Sequence, residues 1–187
     1  MGQVILVTGP TRSGKSEWAE QLAIANPLPV VYVATAQVDP ADGEWVARIQ
    51  RHQQRRPPAW RTYHVSIALA DFLRQQTQPR CWLVDALGTW VANGLELADG
   101  VWQEQQSELL TVLPQVPGMV ILVAEETGWG VVPAYPLGRQ FRDRLGDLTR
   151  RVGAIADQVY LVTAGYAVDL SQLGQRLPSP LPQAEEA

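Results

Sequence analysis

The sequence contains five short apolar runs, each rich in Val, Ile and Leu, and longer stretches with helical spacing lie between them. Near-continuous apolar runs of this length are typical of parallel strands that helices cover on both faces. The alternation therefore predicts an α/β fold with a mostly parallel central sheet and helices on both faces. The predicted strands are 3–8, 29–35, 81–86, 119–125 and 158–164, and the predicted helices are roughly 14–26, 43–56, 66–76, 86–113 and 137–156.

The length of 187 residues suffices for one compact domain with a full core and is too short for two ordinary ones. We therefore expect a single domain over residues 1–170. The remaining segment, 171–187, is polar and proline-rich and has no periodicity, so we expect a flexible tail there.

Charge and composition exclude several classes of protein. The net charge of −4 gives no general attraction to nucleic acid, so we expect no nucleic-acid partner. Cys81 is the only cysteine, which excludes a disulfide or a cysteine zinc site within the chain and favours a reducing cytoplasm. No apolar run reaches the roughly 20 residues that a membrane span needs, so we expect no span.

The segment "GPTRSGKS", residues 9–16, has the form G-x-x-x-x-G-K-S and lies between the first predicted strand and the first predicted helix. Its glycines let backbone N–H groups surround a β-phosphate, Lys15 can reach the β- and γ-phosphate oxygens, and Ser16 can bind Mg²⁺. The sequence thus predicts a P-loop NTPase-like fold. The predicted nucleotide-binding residues in the loop are Gly9, Pro10, Thr11, Arg12, Ser13, Gly14, Lys15 and Ser16.

Asp85 ends the apolar run "CWLVD" and matches the Walker B pattern of four apolar residues followed by an acid. A P-loop needs a carboxylate partner for its metal ion, so Asp85 is predicted to bind Mg²⁺ together with Ser16. The alternative is a structural role, because an aspartate at a strand end also serves as the N-cap of the next helix.

The basic stretch "EWVARIQRHQQRRPPAWRT", residues 44–62, is the second candidate site. If 43–56 is helical, one face carries Arg48, His52, Arg55 and Arg56. Guanidinium groups around an imidazole oppose its protonation, which keeps a lone pair on His52 available for nucleophilic attack. The same arginines can hold a triphosphate and stabilise a leaving pyrophosphate. The alternative is a solvated basic helix face.

These motifs occur in an order that resembles a known family. "TGPTRSGKS", "YVATAQ", "ARIQRHQQRRPPAWRT", "GWGVVP", "GRQFRD" and "YLVTAG" together resemble the bifunctional adenosylcobinamide kinase / adenosylcobinamide-phosphate guanylyltransferase family of cobalamin assembly. The resemblance extends to about residue 170. It implies that the chain phosphorylates adenosylcobinamide and transfers GMP from GTP to that phosphate through a guanylyl-histidine, with GTP and ATP as substrates and Mg²⁺ as the metal.

The resemblance also implies roles for particular residues. His52 corresponds to the histidine that carries GMP, and Lys15 to the lysine of the phosphate loop. Family members tend to assemble as trimers, which implies a homo-oligomer. Beyond the loop, the implied nucleotide contacts are Ala34, Thr35, Ala36, Gln53, Gln54, Arg55, Arg56 and Asp85.

The sequence departs from the family pattern mainly in its C-terminal half. His64 stands where the family commonly has an acid. Glu125-Glu126, Ala134-Tyr135 and Thr149-Arg150 replace Asn-Glu, Glu-Asn and Asn-Gln. Roles in substrate binding and roles at the helix surface or a subunit contact are equally open for Arg139, Arg142 and Asp143.

Two other functions fit part of the sequence. A simple P-loop small-molecule kinase needs Lys15, Ser16 and Asp85 but gives His52 no covalent role. A non-catalytic GTP- or ATP-binding protein needs only the phosphate loop. The basic face around His52 favours the guanylyltransferase over both.

Overall fold

The computed structural model describes residues 2–37 and 41–177, and within them seven strands form one sheet in the order β3-β2-β4-β5-β1-β6-β7. Every neighbouring pair is parallel except β6 and β7, which are antiparallel. The strands are β1 (Gln3–Gly9), β2 (Val30–Ala34), β3 (Arg61–His64), β4 (Arg80–Asp85), β5 (Gly118–Glu125), β6 (Gln158–Thr163) and β7 (Tyr166–Asp169).

Helices cover both faces of the sheet, which confirms the predicted fold class. They are α1 (Lys15–Ala25), α2 (Gly43–Arg55), α3 (Leu69–Arg74), α4 (Leu87–Asn93), α5 (Asp99–Val112), α6 (Pro136–Ile155) and α7 (Leu170–Leu173), with a 3-10 turn at Leu113–Gln115.

Alternation along β1 explains the two layers. Val4 and Leu6 pack into a core with residues of α3, α4, α5 and α6, whereas Ile5 and Val7 pack with α1 on the other face. Successive side chains of a strand point to opposite faces, so a strand between two helix layers must be apolar at every position. This requirement accounts for the continuous apolar runs in the sequence.

The sequence did not predict β3 or β7, and it did not predict the break between α4 and α5. All four residues of β3 are exposed, so this strand has no apolar run, and β7 follows β6 through a short turn. The single helix predicted over 86–113 is two helices, because the chain turns between Gly94 and Asp99. The buried Arg144 of α6 holds that turn by donating to the carbonyl oxygens of Gly94 and Leu97 and to the Asp99 carboxylate.

The strand register brings the chemically important residues to one edge. Gly9 at the end of β1 is paired with Glu125 of β5, and Ala34 at the end of β2 is paired with Asp85 of β4. In open parallel sheets, ligands bind at the carboxyl ends of the strands. The register therefore places the candidate site above the ends of β1, β2, β4 and β5.

None of the helices within 2–37 and 41–177 is long and apolar enough to cross a membrane. The segment predicted as a tail begins within α7, and its Arg176 donates to the carbonyl oxygens of Ala154 and Ala156. Residues 178–187 lie outside the described part of the chain.

The position of Cys81 gives a test of the core. Its side chain is 0% exposed, and burial raises the pKa of its thiol to about 12. Only the thiolate reacts with disulfide reagents such as DTNB. We expect no reaction with the native protein near neutral pH and one thiol per chain in guanidinium chloride; rapid stoichiometric labelling of the native protein would contradict the position of β4 in the core.

Candidate active site

The loop after β1 has the geometry of a phosphate-binding loop. Gly14 has a φ of +93°, a left-handed conformation that favours glycine, and α1 begins at the next residue. A side chain at Gly9 would place its Cβ 2.2 Å from the carbonyl oxygen of Val162, so the exit from β1 also requires glycine. The backbone N–H groups at the start of α1 can therefore bind an anion.

Lys15 is buried, and its ammonium group donates to the carbonyl oxygen of Pro10 at 3.4 Å. The Lys15 side chain thus folds over the loop toward its first residues. Within the same loop, Ser13 Oγ is buried and has no hydrogen-bond partner among the described residues. A phosphate oxygen would satisfy such a donor.

Asp85 is tied to the neighbouring strand. The hydroxyl of Tyr32 in β2 donates to Asp85 Oδ2 at 2.6 Å. Burial, reinforced by the charge of Asp85, raises the pKa of the Tyr32 hydroxyl above its ordinary range, so the phenol stays protonated and keeps donating. Ala86, not Asp85, occupies the N-cap position of α4, which removes the structural alternative for Asp85.

Arg56, directly after α2, approaches the same tyrosine. Its guanidinium carbon lies 3.3 Å from the centroid of the Tyr32 ring, a cation–π contact. Its Nε is buried without a hydrogen-bond partner within the described residues. Arg56 therefore connects α2 to the sheet while one buried donor remains available to a ligand.

Glu125 is a site residue that the sequence analysis did not assign. The backbone N–H of Gly88 donates to its Oε2 at 2.9 Å, and a Cβ at Gly88 would lie 2.2 Å from that oxygen. Burial, and then the nearby charge of Asp85, raise the pKa of the Glu125 carboxyl. Like Asp85, Glu125 ends an apolar run, and that shared position was the signal available in the sequence.

Thr35 holds the chain that follows Asp85. It is 0% exposed; its hydroxyl donates to the Ala86 carbonyl oxygen at 2.6 Å and accepts from the Ala86 N–H at 2.9 Å. Ala34 and Ala36, on either side, line the cleft. Thr35 thus fixes the backbone of Ala86, the residue directly after Asp85.

One cleft brings together Lys15, Tyr32, Arg56, Asp85 and Glu125, and it encloses about 70 Å³, room for a few water molecules. It is bounded by the phosphate loop, the strand ends and one side of α2. Its lining consists of Lys15, Ser16, Tyr32, Ala34, Ala36, Ile49, Gln53, Arg56, His64, Asp85, Ala86, Thr89 and Glu125.

Not every predicted contact lies in this cleft. Gln54 is exposed outside it, and Arg55 forms ion pairs with Glu17 and Glu20 of α1, the second at 3.3 Å. Pro10, Thr11, Arg12 and Ser13 form the phosphate loop itself. Arg48 and His52 belong to α2 by their backbone, but their side chains lie outside the described part of the structure.

A parallel sheet with this loop at the end of its first strand defines a P-loop nucleotide-binding protein of the α/β class. A family model described as "Cobinamide kinase / cobinamide phosphate guanyltransferase" matches residues 5–170, and the chain belongs to this family. The resemblance found in the sequence motifs is thereby confirmed.

Curated relatives agree with the family match. The chain is 42% identical over 167 residues to the "Bifunctional adenosylcobalamin biosynthesis protein CobP" of Pseudomonas aeruginosa, covering 88% of this chain and 95% of the relative. It is 35% identical over 182 residues to the protein called CobU of Escherichia coli, covering 89% and 99%. The chain is thus an enzyme of adenosylcobalamin biosynthesis, a nucleotide-dependent transferase.

Two solved structures share the fold. A protein of Pyrococcus horikoshii OT3 has a TM-score of 0.59 at 10% identity, covering 96% of this chain and 93% of that one. An ATPase of a bacterial type III secretion system has a TM-score of 0.56 at 13% identity, covering 96% and 60%. At these identities the similarity concerns the fold alone.

The buried carboxyl of Glu125 predicts a pH-dependent stability. Because the pKa of Glu125 is raised in the folded chain, the folded chain binds the proton more tightly than the unfolded chain does. The protonated carboxyl therefore adds to the free energy of unfolding below the unfolded pKa, and this stabilisation is lost as the pH rises through the folded pKa. Glu125→Gln keeps the shape and the acceptor for Gly88 without the charge.

We therefore expect the melting temperature of Glu125→Gln minus that of wild type to rise between about pH 4.5 and about pH 8, in the absence of nucleotide and Mg²⁺. Differential scanning calorimetry at both pH values measures this difference. A constant or falling difference would show that ionisation of Glu125 does not oppose folding.

Proposed function

We propose that one cleft serves two transfers: phosphorylation of the aminopropanol hydroxyl of adenosylcobinamide, and transfer of GMP from GTP to that phosphate, giving adenosyl-GDP-cobinamide. The observation that carries the proposal is the position of α2. Ile49 and Gln53 in α2, and Arg56 after it, line the same cleft as the phosphate loop. A simple kinase or a binding protein does not need this basic segment across its triphosphate site.

In the kinase step, the substrate hydroxyl oxygen attacks the γ-phosphorus, the bond to the leaving nucleoside diphosphate breaks, and the hydroxyl proton passes to the surrounding water. We assign the loop N–H groups and Lys15 to the phosphate oxygens, where they stabilise developing negative charge. Because the loop is assigned only to the triphosphate, which ATP and GTP share, this assignment allows either nucleotide to supply the phosphate.

In the guanylyl step, we assign the nucleophile to His52. A neutral imidazole nitrogen attacks the α-phosphorus of GTP, a P–N bond forms, and pyrophosphate leaves as the bond to its oxygen breaks. A phosphate oxygen of adenosylcobinamide phosphate then attacks the same phosphorus and releases the imidazole. In sequence, His52 lies within α2 three residues after Ile49 and directly before Gln53, and both of these neighbours line the cleft.

Arg56 is assigned to the triphosphate. Its Nε is a buried donor with no partner within the described residues, and its guanidinium is positioned by Tyr32. The cleft is much smaller than the 300–1,000 Å³ that small-molecule sites commonly have, so we infer that α2 moves away from the loop when a nucleotide enters.

The donors present fit Mg²⁺. Ser16 and Asp85 supply a hydroxyl and a carboxylate to the same cleft, and no group of three or more His, Cys, Asp or Glu side chains that could hold a metal occurs among the described residues. Mg²⁺ commonly binds through one or two such ligands together with substrate phosphates. When bound, it neutralises charge on the phosphates.

We also propose a homo-oligomer, a trimer by family resemblance, in the cytoplasm. The segment after β5 exposes large apolar side chains, with Val131 95% and Tyr135 79% exposed. Such patches mark interaction surfaces. The cytoplasmic location rests on the single buried cysteine of a chain that forms no internal disulfide.

The chain has two histidines, and this allows a matched test of the covalent intermediate. After incubation with GTP and Mg²⁺, intact-mass spectrometry should detect GMP on wild type and on His64→Ala, and none on His52→Ala. His64 lines the cleft, so it is the direct competitor for the role. The bond should be labile in acid and stable in mild base, as expected for a phosphoramidate.

Kinase activity separates the candidate functions. His52→Ala should retain measurable phosphorylation of adenosylcobinamide, whereas Lys15→Ala should lower both activities by about a hundredfold or more. Wild-type protein that transfers the γ-phosphate without forming an adduct is a simple kinase. Wild-type protein that binds GTP but does neither is a binding protein.

Asp85→Asn tests the metal site. The variant keeps the size of the side chain but loses its charge, so the Mg²⁺ concentration for half-maximal activity should rise by at least about tenfold. Tyr32→Phe removes only the hydroxyl that holds Asp85 and should cause a smaller rise. Equal Mg²⁺ titrations for Asp85→Asn and wild type would limit Asp85 to its contact with Tyr32.

A further inference from the structure

A second, larger concavity lies on the opposite side of the sheet from α1. It runs between α5, α6 and the segment from Leu170 to Leu177, and it has a volume of about 1190 Å³. Small-molecule pockets commonly have about 300–1,000 Å³, so this groove is suited to an unusually large ligand. We call it the α5/α6 groove.

The walls of the groove are balanced in charge. Four carboxylates and four guanidinium groups line it, and several are paired with each other, as in the Arg144–Asp99 ion pair at 2.8 Å. Leu6, Leu110 and Ile155 add apolar surface. A polyanion such as a second nucleotide would require an excess of positive charge, whereas a large molecule with apolar surface and neutral amides would not.

Two threonines give the groove unused hydrogen-bonding capacity. Thr8 is 8% exposed, and both it and Thr149 line the groove. Their hydroxyl oxygens are buried and have no hydrogen-bond partner in the described part of the chain. Buried hydroxyls are normally paired, so these two indicate a ligand that offers hydrogen-bonding groups.

The groove meets the nucleotide cleft at the strand ends. Thr8 immediately precedes Gly9 of the phosphate loop, and at the end of β5 the carboxylate of Glu125 lines the cleft while Glu126 lines the groove. Consecutive strand residues point to opposite faces. A molecule in the groove can therefore extend a side arm toward the phosphates held by the loop.

We propose that the α5/α6 groove binds the corrin macrocycle of the cobinamide substrate, with its peripheral carboxamides on Thr8 and Thr149 and its hydroxyl-bearing arm directed to the end of β1. The inference rests on the proposed function, because that function supplies the acceptor. A corrinoid has the chemistry that matches the groove. It is a bulky apolar ring system surrounded by neutral amides, which can bond to the unpaired threonine hydroxyls.

Two glycines provide a matched pair of blocking variants. Gly146 in α6 lines the groove, and a Cβ there meets no atom within 4 Å; Gly100 in α5 is equally open but lies outside the groove. Gly146→Trp should raise KM for adenosylcobinamide at least about tenfold and weaken its binding in equilibrium dialysis without nucleotide. Gly100→Trp should leave both at wild-type values.

Thr149→Val tests the hydrogen-bonding assignment. The free protein loses no hydrogen bond to a described residue, so its melting temperature should not fall, but KM for adenosylcobinamide should rise about threefold to tenfold. Formation of the GMP adduct with GTP should be unchanged in Gly146→Trp, Gly100→Trp and Thr149→Val, because none of these three residues lines the cleft.

The outcomes separate failure of the groove from failure of the function. If wild type phosphorylates adenosylcobinamide and Gly146→Trp has wild-type KM and affinity, the corrinoid binds elsewhere and the inference is wrong. An equal effect of Gly100→Trp, or a changed sedimentation coefficient for Gly146→Trp that shows the groove to be an interface between copies, overturns it too. If wild type neither binds nor phosphorylates adenosylcobinamide, both the inference and the proposed function fail.

Discussion

The parallel pairing of β1 with β5 and of β2 with β4 is the constraint on which the site depends. It brings Gly9 opposite Glu125 and Ala34 opposite Asp85, so a phosphate loop and two carboxylates meet without any residue being close to another in sequence. The pairing itself is stable because apolar side chains cover both faces of these strands. Packing of the buried side chains in the core thus fixes the positions of the phosphate loop and the two carboxylates at the strand ends.

Tyr32 connects the strand ends to the basic segment that follows α2. Its ring lies under the guanidinium of Arg56 and its hydroxyl holds Asp85, so one side chain contacts both the basic segment and the candidate metal ligand. The ion pairs of Arg55 with α1 are partly exposed and add little stability in water. Tyr32 therefore links the end of the basic segment to the strand ends more closely than these ion pairs link it to α1.

Much of this arrangement could be predicted from the sequence. The five strands that were expected follow from runs such as "VILVT" and "MVILV", and the loop follows from the spacing of Gly9, Gly14 and Lys15. β3 could not be predicted, since an exposed edge strand has no apolar run, and Gln54 and Arg55 could not be separated from Gln53 and Arg56 without the rotation of α2. Glu125 was missed because its role depends on Gly88, 37 residues away in sequence.

Glu125, the last residue of β5, and Glu126, directly after it, have a consequence for how such an enzyme can diverge. Glu125 lines the cleft and Glu126 lines the groove, although one peptide bond joins them. Substitution at either position changes one of these two surfaces and leaves the other intact. An insertion or deletion of a single residue in this strand, by contrast, would exchange the faces of both at once. A point substitution can therefore alter either surface alone, whereas a change in the length of β5 cannot.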